Sequence, residues 1–108
     1  MNFILAIKSS TLEVNTAYNF IKATLQKKDH ININMIFFFQ NGIDILLDHE
    51  NNKQWSHLLI NNNLLGSICP ASCSKRGINS NNISAPFKKS SIIEFINFCD
   101  TADRVIHF

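Results

Sequence analysis

Apolar positions recur along the chain in two alternating rhythms, short continuous runs and helical spacing. Residues 3–7 form a brief apolar run, the signature of a strand covered on both faces. Ser10 and Glu13 follow as a Ser-x-x-Glu capping box, in which each side chain satisfies a free backbone donor of the other. Behind it Val14, Ala17, Tyr18, Ile21 and Leu25 recur at intervals of three and four, predicting a helix with Lys27 and Lys28 in its last turn. Ile31, Ile33 and Met35 then alternate with asparagines before the run Ile36–Phe39, giving a second strand that ends at Asn41-Gly42. A helical turn is expected over 43–47. Trp55, Leu58 and Leu59 mark one face of a second amphipathic helix at about 51–62. Leu64–Ile68 reads as a third strand. It leads into a short helix from Cys69 to Gly77, with Pro70 at its first position and the glycine closing it. Residues 79–90 read as polar and irregular. A second capping box, Ser91 to Glu94, opens a helix carrying Ile92, Phe95, Ile96 and Cys99, and residues 104–108 close the chain as a strand.

This alternation predicts an α/β fold: a single-domain, three-layer α/β/α arrangement with a mainly parallel sheet of about five strands and right-handed crossovers. The working site of such a sheet is expected at the carboxyl ends of the strands.

Composition narrows the possibilities. With 108 residues there is room for one domain, and 45% hydrophobic against 17% charged residues is the profile of an ordinary soluble globule. The net charge of +2 is too small, and its Lys and Arg too scattered, to argue for a nucleic-acid groove. The apolar opening is too short for a signal-peptide core, and no stretch approaches a bilayer-spanning length. Three cysteines without an export signal favour free thiols in a reducing compartment, so a cytoplasmic location is expected. The asparagine runs at 51–52 and 61–63 read as solvated filler.

The strand-to-helix junction at Cys69 carries the most chemistry. As N-cap to a helix opened by Pro70, its sulfur is expected to accept from the N–H of Ala71 or Ser72. A helix N-terminus favours an anion by about 0.3–1 kcal/mol, and up to ~2 when partly buried, enough to support sulfur exchange without being diagnostic of it. The plainer alternative is a small hydrophobe at the end of a buried strand. Cys73 lies four residues on, a spacing unlike the Cys-x-x-Cys of redox or zinc sites. It either exchanges with Cys69 or is a buried helix-face residue, whereas Cys99 reads as core. His30, His49, His57 and His107 follow no ligand spacing, and no Gly-rich phosphate loop is present, so neither metal nor cofactor is expected. Lys75 and Arg76 either steady a sulfur anion or form a solvated helix end.

The segment Ile68–Gly77, reading Ile-Cys-Pro-Ala-Ser-Cys-Ser-Lys-Arg-Gly, resembles the active-cysteine segment of the TusD/DsrE sulfurtransferase family. There a cysteine at a strand end is followed by small residues and a basic pair. Residues 36–43 are similar to the family's second strand and its following glycine, and residues 102–108 to the closing strand of its TusD branch. The resemblance covers essentially the whole chain, 1–108, as a sulfur-carrier domain. It departs from the pattern in lacking the usual glycine and proline after the first strand and in having Pro70 in place of an aliphatic residue.

The resemblance implies that Cys69 is the catalytic residue, carrying a persulfide in a sulfur relay for 2-thiolation of the tRNA wobble uridine. It also implies TusB- and TusC-like subunits in a heterohexamer, a TusA-like sulfur donor and a TusE-like acceptor, without direct contact to nucleic acid or membrane. Two alternatives stand beside it: a non-catalytic structural subunit of such a complex, and a thiol redox sensor using Cys69 and Cys73.

Overall fold

The computed structural model describes residues 1–9, 12–26 and 31–108; the first capping box, Lys27, Lys28 and His30 lie outside or partly outside them. Five strands form one sheet: β1 (Asn2–Ile7), β2 (Asn32–Phe38), β3 (Gly66–Ile68), β4 (Phe87–Lys89) and β5 (Arg104–His107). Among the described residues four α-helices connect them: α1 (Leu12–Gln26), α2 (His49–Asn61), α3 (Pro70–Lys75) and α4 (Ile92–Asp100). The sheet order is β4-β3-β2-β1-β5, and all four pairings are parallel.

That order fixes the layers. The first three crossovers step in one direction across the sheet, so right-handedness places α1, α2 and α3 on one face. The last crossover runs back from β4 to β5, which sends α4 to the other face. The buried side chains divide accordingly. Leu5, Ile7, Ile36, Phe38 and Ile68 pack with Val14, Ala17 and Ile21 of α1, Trp55, Leu58 and Leu59 of α2, and Cys73 of α3. Ile4, Met35, Phe37 and Cys69 face the other way, against Phe95 and Cys99 of α4. The three-layer α/β/α expectation is met, with every strand parallel.

Several boundaries differ from the sequence reading for local reasons. A 3-10 segment, Gln40–Leu46, begins directly after β2, ahead of the expected turn. Helix α2 starts earlier than its apolar face indicates, because Asp48 caps it by accepting from the N–H of Glu50 at 3.1 Å and Asn51 at 3.2 Å. The segment 79–90, expected to be irregular, contains a 3-10 turn, Ser80–Asn82, and the edge strand β4. Three residues, two of them lysines, show no alternation, yet the ladder to Gly66, Ser67 and Ile68 holds them extended. Charged side chains suit a strand with a free edge. The capping box at Ser91 is present as expected, with Glu94 N–H donating to Ser91 Oγ at 3.2 Å.

Gly42 packs against the carboxyl end of β1 so closely that a Cβ there would overlap the backbone oxygen of Ile7. This approach holds the segment after β2 against the carboxyl end of β1, at the same end of the sheet as the candidate site. Helix α4 buries no residue fully: Ile92, Ile93 and Ile96 remain 46%, 70% and 52% exposed along one flank, and Phe98 39% exposed on the other.

Candidate functional site

Cys69 directly follows β3 and precedes Pro70, the first residue of α3. Its N–H donates to Phe38 O at 3.0 Å, which holds it against β2, and its carbonyl accepts from Cys73 N at 3.2 Å. The extended backbone of Cys69 (φ −74°, ψ 115°) continues the strand by one residue, so side-chain alternation carries the thiol to the α4 face. There it packs with Ile4, Met35 and Phe37 and is 3% exposed. This corrects one expectation: the sulfur makes no capping hydrogen bond to α3. Strand geometry aims it into the sheet face and away from the amides of Ala71 and Ser72.

A cleft of about 460 Å³ opens at this point, lined by Phe39, Gln40, Asn41, Cys69, Ala71, Ser72, Lys75, Arg76 and Ile92. It lies at the carboxyl ends of β2 and β3, the end expected for a parallel sheet. Its wall is held by polar contacts. Gln40 adopts a left-handed backbone (φ 50°), and its N–H donates to Ser72 Oγ at 2.8 Å, tying the segment after β2 to α3. Arg76 reaches across the same junction: Nε pairs with Asp44 Oδ1 at 3.2 Å, and the guanidinium also donates to Asn41 Oδ1 and, at 3.5 Å, to the Ser72 carbonyl. Arg76 is therefore a clamp whose charge is balanced by Asp44. Lys75 is exposed at the cleft and forms no ion pair among the described residues.

The other two thiols are differently placed. Cys73 is 0% exposed within the α1–α2 core, and burial pushes its thiol above the ordinary range; the neighbouring Cys69 adds to the rise and Arg76 opposes it. Cys69 and Cys73 thus serve different core clusters on opposite faces of the sheet. A buried, protonated Cys73 is poorly suited to exchange. Cys99 is partly buried against the α4-side cluster, and burial, followed by Asp100, raises its thiol as well. The basic pair splits into a structural Arg76 and an exposed Lys75. His49, His57 and His107 lie exposed, and no group of three or more metal-binding side chains gathers among the described residues. The side-chain roles of Ser72, Gln40, Asn41 and Asp44 were not visible in the sequence, because single polar residues in a turn carry no periodic signal.

The sequence profile of the DsrE/DsrF-like family matches residues 1–108. No curated protein matches the sequence. Among solved structures, the chain resembles the ychN protein from E. coli, with a TM-score of 0.81 at 14% sequence identity, over 99% of this chain and 97% of that one. At that identity the likeness bears on the fold. No described helix is long and apolar enough to cross a membrane.

Proposed function

The chain belongs to the DsrE/DsrF-like family, and from that premise we propose that it is a sulfur-relay sulfurtransferase subunit that carries a persulfide on Cys69. The observation that carries this reading is the position of Cys69, at a strand end and facing a cleft with an exposed lysine at its rim. The Cys69 thiolate attacks the outer sulfur of a donor persulfide. The donor's S–S bond breaks, its electron pair leaves on the donor thiolate, and a new S–S bond forms on Cys69 with no net oxidation. The reverse exchange, with an acceptor thiolate attacking the outer sulfur, releases the cargo and restores Cys69.

Within this family the reading is closest to the TusD branch: residues 1–108 as one sulfur-carrier domain, TusB- and TusC-like subunits as heterohexamer partners, a TusA-like donor and a TusE-like acceptor, in the cytoplasm. The end use is 2-thiolation of the tRNA wobble uridine. The exposed isoleucines of α4 support a life among other subunits, because Ile92, Ile93 and Ile96 share one flank of the helix and gain from being covered. The dispersed net charge of +2 is in keeping with handing sulfur to proteins without gripping RNA.

Complementation tests this placement. In a strain lacking its own TusD, supplied with the cognate partner subunits, the wild-type chain is expected to restore 2-thiouridine in tRNA, and Cys69→Ala to leave it absent. Restoration by Cys69→Ala would make the chain a scaffold without sulfur chemistry.

A further inference from the structure

Ser90 is 1% exposed, and its hydroxyl has no hydrogen-bond partner among the described residues. Buried hydroxyls are nearly always paired, so an orphan beside a reactive group calls for a reason. The Ser90 N–H donates to Ile68 O at 3.0 Å, which extends the β3–β4 ladder one residue past the Ile68–Lys89 pair and sets Ser90 alongside Cys69. Alternation fixes the face. Ile68 and Phe87 point into the α1–α2 core, whereas Ser67 and Lys88 line a cleft with Phe98 on the α4 side. Two residues further along Cys69 packs on the α4 side, and the same alternation assigns Ser90 to that face. The neighbouring Ser91 hydroxyl is committed to the Glu94 N–H, so Ser90 is the hydroxyl left over at this point.

We propose that Ser90 is a positioning residue whose hydroxyl donates to the outer sulfur of a persulfide on Cys69. The inference rests on the persulfide reading and deepens it. With a bare thiol, the donor has nothing to meet. An added sulfur lies about 2 Å beyond Sγ and carries the negative charge once its proton is lost to solvent. A hydroxyl already desolvated and unpaired strengthens a bond to such an anion, because it gives up no earlier partner.

The test equilibrates the unloaded protein with mixtures of glutathione persulfide and glutathione and reads the loaded fraction by intact mass. Cys69 thiolate takes the outer sulfur, and glutathione thiolate leaves. Wild type is expected to load, and Ser90→Ala to lower the partition constant by about tenfold, as for loss of a hydrogen bond to a charged group. Unloaded Ser90→Ala is expected to melt no lower than wild type, since its hydroxyl has no bond to lose. Equal partition constants would overturn the role of Ser90 while leaving the persulfide reading intact. A lower melting temperature for unloaded Ser90→Ala would also overturn it, by revealing a structural partner. A wild type that takes up no sulfur would overturn the persulfide reading, and this inference with it.

Discussion

Trp55→Ala is expected to lower the unfolding free energy by about 3–5 kcal/mol, a large share of the ~5–15 kcal/mol typical of a domain. Trp55 is 1% exposed and stands where three elements meet. Its ring meets Tyr18 of α1 edge-on at 5.6 Å and 81°, and Phe38 of β2 at 5.1 Å and 88°. These T-shaped contacts add to the area the indole removes from water. Truncation leaves a cavity that β2 and α2 cannot both collapse into, because β2 is paired on both sides. Urea unfolding followed by far-ultraviolet circular dichroism is the suitable measurement, since Trp55 is the only tryptophan and fluorescence would be lost with it. A shift under about 1 kcal/mol would mean that this junction is looser than its geometry indicates.

Cys69→Ser is expected to reduce persulfide transfer from a donor to an acceptor thiol by about a thousandfold or more, to the uncatalysed background. The substitution keeps the shape of the side chain but replaces a sulfur nucleophile with a hydroxyl that carries no sulfur under these conditions. Cys73→Ala is expected to retain transfer, because Cys73 faces the opposite core cluster and burial keeps its thiol protonated. Following labelled sulfur from donor to acceptor separates the two outcomes. Transfer that survives Cys69→Ser and disappears in Cys73→Ala would reassign the carrier.

The sequence revealed the architecture more fully than the site. The apolar run at 3–7, the alternation over 31–35 with the run at 36–39, and helical spacing from Val14 to Leu25 identified β1, β2 and α1, because burial on two faces or one leaves such a trace. The Ser91 capping box located α4 to the residue. Strand β4 left no such trace: Phe87, Lys88 and Lys89 are held by pairing with β3, a tertiary effect with no local signature. Cys69 was legible as a junction residue, and Pro70 correctly marked the start of α3. The direction of its sulfur was not legible, since helix capping and strand alternation compete at that residue and alternation prevails. The hydroxyls of Ser72 and Ser90 escaped notice for a related reason. Both owe their place to tertiary pairing: Ser72 accepts from the Gln40 N–H, and the Ser90 N–H donates to Ile68 O, which sets Ser90 in register with Cys69.

The most direct measurement is site-resolved mass spectrometry of the wild-type protein after incubation with a persulfide donor. The account predicts an added mass of about 32 Da on the peptide containing Cys69, removable by cyanide or a reducing thiol and trapped by alkylation at the outer sulfur. Sulfur found only on Cys73 or Cys99, or no added sulfur on any peptide, would contradict it.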